Sequence, residues 1–405
     1  MDWQETEYGS VPLTWQILSI GELSKVVTDG AHFSPRPQAF GKYMCSVKEM
    51  SYNKFIFTNC KLISLEDFEK LAAQGCQPRN GDILISKDGA NCLDLIFVFN
   101  QQEELVLLSS IAIVRLLPTC DPYYVRYFLS SPACQYTMRN NFVSGSAIPR
   151  VVLKDFKKVS VLIPPLPEQK SIAAVLSSLD DKIDLLHRQN QTLEAMAETL
   201  FRQWFVVEAQ ENWEEKPLSQ IANFLNGLAC QKYPPKNEID KLPVLKIKEL
   251  SSGISESSDW ASTEIKPEYI VETGDVIFSW SASLIIKVWN GGKCILNQHL
   301  FKVTSTKFPK WFYLMWCKRH LDEFISISSS HATTMGHIKR GDLDKAMVLV
   351  PPADVIEAMS SKMTPILNKQ IANQKQIRTL ETLRDTLLPK LMSGEVRVRF
   401  DEETA

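Results

Sequence analysis

The 405-residue chain lacks several of the patterns by which common classes of protein are recognised. It contains no run of eighteen apolar residues, which excludes a typical transmembrane helix. The opening segment, MDWQETEYGS, is acidic and has no apolar signal-peptide core, so we expect a cytoplasmic protein. The net charge of -2 argues against a nonspecific nucleic-acid-binding protein, which would usually be basic. A sequence-specific protein that shares its phosphate groove with another subunit remains compatible with this charge.

Residues for metal binding and catalysis are present but show no useful spacing. The nine cysteines are dispersed, with no CxxC pair and no Cys/His cluster, which is typical of reduced thiols and predicts no zinc site. The six histidines lack the spacing of metal ligands. No glycine-rich nucleotide loop follows a strand, and no nucleophile can be paired with a base. The sequence therefore predicts a recognition protein with no catalytic and no metal-binding residues.

Two short strings resemble catalytic motifs but have simpler explanations. DPYY, at 121–124, resembles the Asp-Pro-Pro-Tyr motif of amino-methyltransferases, yet it lacks the second proline, and Pro122 suits the start of a helix. LDDKID, at 179–184, could be a nuclease carboxylate cluster. Its residues 180–182 fall on outward positions of a heptad pattern, however, which favours a solvated helix face.

The most informative pattern in the chain occurs twice. VLIPPLPEQK at 161–170 is answered by VLVPPADVIE at 348–357. Other landmarks recur in the same order: VKEMS at 47–51 with IKELS at 247–251, GDILIS at 81–86 with GDVIFS at 274–279, and DPYYVRYFL at 121–129 with FPKWFYLMW at 308–316. Matches that keep their order across two halves indicate a tandem repeat.

Each repeat combines a strand-rich unit with a long helical segment. Runs such as GDILIS, SIAIVRLL and KVSVLIP are β-branched or alternating and are bounded by turn residues, which predicts strands. We predict an α+β protein of two pseudo-repeated globular units, each followed by a long helix. The predicted segments are a first globular unit at 1–164, a first helix at 165–208, a second globular unit at 209–351, a second helix at 352–394 and a tail at 395–405.

The helical segments predict an antiparallel coiled coil. In the first, apolar residues alternate at spacings of four and three, and Asn190 on the same seam would fix the register. The second is less regular, because Gln370, Asn373 and Arg384 interrupt its seam and Pro365 is expected to kink or delay the helix. The alternative is that each helix packs only on its own unit. The predicted pairing residues are Ile172, Leu176, Leu179, Ile183, Leu186, Asn190, Leu193, Leu200, Met363, Ile366, Ile377, Leu380, Leu387 and Leu391.

These helical regions resemble those of a known family. IPPLPEQKSIAAVLSSLDDKIDLLHRQNQTLEAMAETLFRQWF and LETLRDTLLPKLMSGEV are similar to the regions that close the two halves of specificity subunits of Type I restriction-modification systems. VPLTWQILSIGEL is similar to the start of that family, and the resemblance covers nearly the whole chain. One departure is VPPADVIEAM, which lacks the Glu-Gln pair found as Glu168 and Gln169 in the first repeat.

The resemblance implies a division of labour. Each globular unit would be a target recognition domain that reads one half of a bipartite double-stranded DNA site, and unlike units imply an asymmetric site. The paired helices would set the spacer and bind two methyltransferase subunits, which would bind S-adenosylmethionine and methylate adenine, with motor-nuclease subunits as further partners. The chain itself would be non-catalytic and hold no cofactor. The alternative is a coiled-coil scaffold that links two ligand-binding domains without binding DNA.

Three polar loops in each unit carry side chains of the types that contact base edges and phosphates. The first follows the Asp-Gly or Asn-Gly turn, the second follows the Gly-Asp strand, and the third precedes the last strand. The alternative is that all are ordinary surface loops, and we expect Trp280 to pack in the fold. The predicted DNA-binding residues are Ser34, Arg36, Lys87, Asn91, Arg139, Asn140, Ser144, Ser146 and Arg150 in the first unit, and Lys232, Lys236, Ser279, Ser281, His331, Thr333, Thr334, His337, Lys339 and Arg340 in the second.

Overall fold

The computed structural model describes residues 2–145, 148–330 and 337–399. It divides into two compact units. The first unit comprises Met1–Asp181 and Glu381–Ala405, and the second comprises Lys182–Leu380. None of the helices in the described ranges is both long and apolar enough to cross a membrane.

Short strands and helices alternate through the first unit. Its strands are β1 (Trp3–Thr6), β2 (Gly9–Pro12), β3 (Gln16–Ser19), β4 (Ser24–Asp29), β5 (Lys42–Cys45), β6 (Lys61–Ile63), β7 (Ile83–Ser86), β8 (Ile96–Val98), β9 (Leu105–Leu107), β10 (Ile111–Leu116), β11 (Val143–Ser144), β12 (Arg150–Val151) and β13 (Ser160–Ile163). Its short helices are α1 (Ile20–Leu23), α2 (Leu65–Ala73), α3 (Pro122–Ser130), α4 (Pro132–Phe142) and α5 (Leu153–Phe156).

A four-stranded antiparallel sheet, in the order β4-β10-β7-β8, forms the centre of the first unit. Because side chains alternate between the two faces of a strand, the apolar run of β10 supplies two different cores. Ala112 and Val114 pack with Ile83 in the larger core, whereas Ile111 and Ile113 pack in a second core. A smaller sheet, in the order β6-β5-β9, contains the parallel pair β5 and β9.

The second unit repeats this plan. Its strands are β14 (Glu214–Pro217), β15 (Asn223–Asn226), β16 (Lys241–Leu245), β17 (Trp260–Ser262), β18 (Ile270–Val271), β19 (Val276–Ser279), β20 (Ile286–Val288), β21 (Cys294–Leu296), β22 (Leu300–Thr304) and β23 (Met347–Val350). Its short helices are α7 (Leu218–Ile221), α8 (Ile247–Ser252), α9 (Lys310–Arg319), α10 (Leu321–Ser330) and α11 (Arg340–Lys345), with 3₁₀ turns at Cys230–Lys232 and Pro267–Tyr269. The sheet order β15-β22-β19-β20 matches β4-β10-β7-β8, and β16 pairs parallel to β21 as β5 pairs with β9.

Two long helices, α6 (Leu166–Arg202) and α12 (Ala353–Met392), contribute residues to both units. A π-helical turn at Gln203–Val207 follows α6. The prediction that Pro365 would delay the second helix is wrong, because α12 begins twelve residues earlier. Proline at that point removes one backbone N–H donor, but the helix is continuous through it.

Within each unit the two helices run antiparallel, as predicted. In the second unit, Ile183 and Leu186 are buried with Ile377. In the first unit, Ile172 and Leu176 are buried in the same core as Leu391. The remaining predicted seam residues are also removed from full exposure: Asn190 and Met363 are buried, and Leu179, Leu193, Leu200, Ile366, Leu380 and Leu387 are half-buried.

The predicted interruptions of the second helix are seam contacts, which corrects the sequence interpretation. Asn373 is only 1% exposed, and its Nδ2 donates to Oδ1 of Asn190 over 3.0 Å. Gln370 donates through Nε2 to the backbone oxygen of Asn190 over 3.4 Å. Asn190 is therefore paired with two polar side chains of α12, which reduces the cost of burying these groups, although Oδ1 of Asn373 has no hydrogen-bond partner among the described residues.

Candidate nucleic-acid interface

Sheet topology brings the predicted loops of the first unit together. Strands β4 and β7 both pair antiparallel with β10, which lies between them, so their carboxyl ends share one edge of the sheet. The first loop leaves that edge at Asp29 and the second leaves it at Ser86. The third loop joins them because Arg150 forms a backbone bridge with Asp88.

Four charged residues connect these three loops, and we call them the charged loop cluster: Asp29, Lys87, Asp88 and Arg150. The Nζ atom of Lys87 lies 3.3 Å from Oδ2 of Asp29 and 3.3 Å from Oδ2 of Asp88. The Nε atom of Arg150 lies 3.0 Å from Oδ1 of Asp88. The Lys87 side chain is 9% exposed and that of Arg150 is 62% exposed. The cluster is therefore buried at Lys87 and accessible to solvent at Arg150.

The predicted loops of the second unit converge at the corresponding sheet edge. Here the connecting residues include no Asp, Glu, Lys or Arg, and for that reason we call them the neutral loop cluster: Asn226, Trp280, Ser281, His299 and His337. The indole Nε1 of Trp280 donates to Oδ1 of Asn226 over 3.1 Å. The Ser281 hydroxyl lies 3.2 Å from Nδ1 of His299, and its backbone bridges to His337. The ring centroid of Trp280 lies 6.0 Å from that of His299 and 6.2 Å from that of His337.

The Asp-Gly turn of the first unit and the Asn-Gly turn of the second require glycine for the same steric reason. A Cβ atom at Gly30 would lie 2.1 Å from the backbone oxygen of Leu107. A Cβ atom at Gly227 would lie 2.2 Å from that of Asn297. Only glycine allows the chain to pass so close to a neighbouring backbone, so both turns place the first loop at the same point of the frame.

Most of the predicted DNA-binding residues are exposed, and their contact with DNA stays a prediction. Some already have protein partners: Arg139 donates to the Cys92 oxygen and to Asp94, and Lys236 pairs with Glu264. Ser146, His331, Thr333 and Thr334 lie outside the described residues. The exposed predicted residues are Ser34, Arg36, Asn91, Arg139, Asn140, Ser144, Arg150, Lys232, Lys236, His337, Lys339 and Arg340.

Three of the predicted residues are buried in the free chain, which favours a structural role for them. Lys87 is 7% exposed, Ser281 is 6% exposed and Ser279 is completely buried. The Ser279 hydroxyl donates to the backbone oxygen of Ser283 over 2.8 Å. These side chains contact the loops themselves, and their contact with DNA stays a prediction. The cause is local, because Ser279 is the last residue of β19, a strand in which all four residues are buried.

Sequence inspection missed the cluster residues Asp29, Asp88, Asn226 and His299. The residue before each turn glycine, Asp29 or Asn226, closes a strand, and this shared position was a usable signal. His299 had no signal of this kind, because its contact with Ser281 depends on folding.

A second polar network lies in the first unit, on the helix pair. Asp180 lies 3.1 Å from Nη1 of Arg126 and 3.0 Å from Nη1 of Arg384. Burial raises the pKa of the Tyr127 phenol, which therefore stays protonated and donates to Asp180 over 2.7 Å. The prediction of a solvated face is wrong for Asp180, although Asp181 and its neighbour at 182 are exposed.

The first proline stretch leads into a buried ion pair. Glu168 is fully buried, accepts a hydrogen bond from Nε1 of Trp15 over 3.3 Å and from Nη2 of Arg397 over 2.8 Å. The amide of Gln169 accepts from the backbone N–H of Asp121 and donates to the Pro164 oxygen. The Glu-Gln pair thus ties the start of α6 to three other segments of the first unit.

The catalytic-looking string is structural. The Asp121 side chain accepts a hydrogen bond from the backbone N–H of Tyr124 and caps α3, and Pro122 is the first residue of that helix. Tyr124 is completely buried and donates its hydroxyl to the Leu162 oxygen over 2.8 Å. Across the described ranges, no group of three or more His, Cys, Asp or Glu residues is placed to hold a metal ion.

Two matches to one family model coincide with the two repeats. The model is described as the Type I restriction modification DNA specificity domain, and it matches residues 12–195 and 210–382. Two such copies define a tandem DNA-specificity protein. The chain belongs to the family of Type I restriction-modification specificity subunits, which are proteins of DNA sequence recognition.

Relatives and a solved structure resemble the chain over nearly its whole length. It is 24% identical to the Type I restriction enzyme MjaIX specificity subunit of Methanocaldococcus jannaschii, over 98% of this chain and 97% of the relative. It is 19% identical to the HindI specificity subunit of Haemophilus influenzae, over 94% of this chain and 99% of the relative. The crystal structure of a Type I restriction-modification S subunit from M. genitalium shares its fold, with a TM-score of 0.56 and 14% identity over 94% of this chain and 96% of that one.

Proposed function

We propose that the chain reads a bipartite, asymmetric DNA site, with one half-site bound by each unit. In this proposal it directs adenine methylation by two methyltransferase subunits, and restriction by motor-nuclease subunits where these are present. The observation that carries the proposal is the pair of loop clusters. Corresponding loops converge at the same sheet edge in both units, yet one cluster is charged and the other is neutral.

The difference between the clusters supports an asymmetric site. Bases are read by matching hydrogen-bond donors and acceptors in the grooves, so a cluster with Arg150 and one with His337 select different bases. A shared frame with different loop chemistry is the arrangement expected of two recognition domains descended from one repeat.

Continuous helices support a role in spacing and assembly. The 37-residue α6 and the 40-residue α12 each contribute residues to both units without a break in the helix. The matched Asn190 and Asn373 allow only one register of the seam. We propose that this helix pair sets the separation of the half-sites and offers the methyltransferase subunits their binding surface.

The remaining parts of the proposal concern chemistry and location. We propose that the chain is non-catalytic and that S-adenosylmethionine is bound by the methyltransferase partner, in the cytoplasm. The fully buried Tyr124 supports this division, because the tyrosine of the DPYY string is unable to hold a flipped base.

A duplex-binding experiment tests the proposal. The chain is mixed with cognate duplex at rising salt, with and without the methyltransferase subunits of its host. The proposal predicts a salt-dependent mobility shift with the partner present and none without it. Absence of a shift in both samples supports the scaffold alternative. Binding of S-adenosylmethionine by the purified chain alone would instead indicate a stand-alone methyltransferase.

A further inference from the structure

Arg150 occupies a particular place in the charged loop cluster. It begins β12, and its backbone bridges to that of Asp88 on the second loop. Its Nε donates to Oδ1 of Asp88 over 3.0 Å. The side chain is nevertheless 62% exposed, so one edge of the guanidinium is held by protein while most of the side chain faces solvent.

The carboxylate that holds Arg150 is itself fixed. The other oxygen of Asp88, Oδ2, lies 3.3 Å from Nζ of Lys87, which is also bound to Asp29. Lys87 and Asp29 are both nearly buried, with side chains 9% and 12% exposed. This buried part of the charged loop cluster therefore has little freedom to rearrange. The guanidinium therefore has a defined orientation before any ligand binds, which lowers the entropy cost of binding.

The terminal nitrogens of Arg150 suit one kind of partner. Among the described residues, neither Nη1 nor Nη2 of Arg150 has a hydrogen-bond partner, since its one ion pair uses Nε. Two parallel N–H donors of this geometry match two adjacent acceptors. In the major groove of DNA, guanine offers such a pair through O6 and N7.

The other cations of the first unit's loops fit this role less well. Lys87 is buried between two carboxylates. Arg139 already uses Nη1 on the Cys92 oxygen and Nη2 on Asp94. Arg36 is exposed between two prolines, and no carboxylate among the described residues orients it.

We propose that Arg150 reads a guanine in the half-site of the first unit and that Asp88 is its positioning residue. This inference rests on the proposed function, because it assigns a base to one residue of a DNA-reading loop. It is specific to the first unit, because the corresponding bridge in the second unit joins Ser281 to His337, which has no guanidinium.

The test uses the full chain in complex with its methyltransferase subunits. The duplexes carry the DNA motif whose adenines these subunits methylate in the host. Each guanine of the motif is replaced in turn by 7-deazaguanine, which lacks the N7 acceptor. Hypoxanthine, which keeps both O6 and N7, is the matched control at each position. We expect 7-deazaguanine to weaken binding about 5-fold or more at one guanine, and hypoxanthine to leave binding there within about 2-fold.

The same titrations with Arg150→Ala, which removes every donor of the side chain, connect that guanine to the arginine. The variant complex is expected to bind the native and 7-deazaguanine duplexes equally at that position, while every other position keeps its wild-type preference. Lys158→Ala, which removes an exposed ion pair with Asp155, is the matched control and should behave as wild type.

Asp88→Asn tests whether Asp88 positions Arg150 for base reading or only stabilises the loop. It should reduce discrimination at the same guanine only, with salt dependence unchanged, whereas a general loss of structure would weaken binding to all duplexes alike. The inference is overturned if Arg150→Ala keeps the wild-type sensitivity at every guanine, or if the motif has no guanine that is sensitive to 7-deazaguanine. If the wild-type complex shows no sequence preference at all, the proposed function fails instead.

Discussion

The two units share a frame and differ in the residues that the frame presents. In both, the aspartate of the Gly-Asp turn pairs with a cation on the central strand: Asp82 with Arg115 over 2.7 Å, and Asp275 with Lys302 over 2.8 Å. At the loop positions just beyond, Lys87 is replaced by Trp280. The turn positions carry a charge pair in both units, whereas the loop positions carry different side chains, which pair with Asp29 in the first unit and with Asn226 in the second.

A second contrast lies at the start of the long helices. In the first unit, Glu168 satisfies the indole N–H of Trp15. In the second unit, Val355 stands at the corresponding position, and within the described residues the buried indole N–H of Trp213 has no hydrogen-bond partner. The first unit therefore has a polar anchor that the second replaces by apolar packing.

Among the substitutions compared, removal of Glu168 should reduce the stability of the protein most. Glu168→Ala leaves Arg397 and the Trp15 indole without their carboxylate, so we expect a loss of about 3 to 5 kcal/mol in the free energy of unfolding. The matched change Val355→Ala removes only apolar contact and should cost about 1 kcal/mol or less. Denaturant titration of both variants checks this. Equal costs would show that the two helix starts are held alike.

The helix seam provides the next contrast, between neighbouring residues. Leu186 is 1% exposed in the seam of the second unit, whereas Leu185 beside it is 38% exposed. Leu186→Ala should destabilise the protein by about 2 to 5 kcal/mol, because it leaves a cavity in a packed core. Leu185→Ala should cost less than about 1 kcal/mol. An unchanged melting temperature for Leu186→Ala would contradict the observed packing.

Trp280→Ala tests whether the neutral loop cluster has the role of the charged one. The change removes the donor to Asn226 and the ring beside His299 and His337, so cognate duplex should bind about 5- to 100-fold more weakly. Trp260, which is 44% exposed on β17, provides the control Trp260→Ala, with wild-type affinity expected. Competition binding measures both. Loss of affinity in the control variant alone would place the DNA surface elsewhere in the unit.

The smallest effect is expected at Arg36, which contrasts with Arg150 in the same unit. Because no carboxylate in the described part of the chain orients it, Arg36 suits a phosphate contact, which carries no sequence information. Arg36→Ala should lower the slope of log K against log salt by about 0.9 and leave base preference intact. Salt titration on cognate and mutated duplexes provides the test. A changed base preference would mean that Arg36 reads bases directly.

The local features of the fold were the predictable ones. Heptad spacing predicted the seam from Ile172 to Leu200 because a helix places such residues on one face. The repeated turns predicted where corresponding loops lie in the two units, and the sheet order brings those loops together.

Contacts between distant segments were not predictable in this way. The heptad pattern predicts a solvated Asp180 because it carries no sign of the partners Arg126 and Arg384, which are 54 and 204 positions away in the chain. The loop pattern predicts an exposed Lys87 because it carries no sign of the pairing with Asp29, which depends on β4 and β7 lying on either side of β10. One sequence carries no direct record of such pairs.

The measurement that tests the account most directly is a genome-wide map of methylated adenine in the host. Maps are compared for cells that have the gene, cells that lack it, and cells that carry Trp280→Ala, with expression of the chain and its methyltransferase verified. The account predicts that one split, asymmetric motif loses methylation without the gene, and that Trp280→Ala relaxes bases in only one half of that motif. An unchanged map without the gene, or a variant that alters both halves together, would contradict recognition by two separate units.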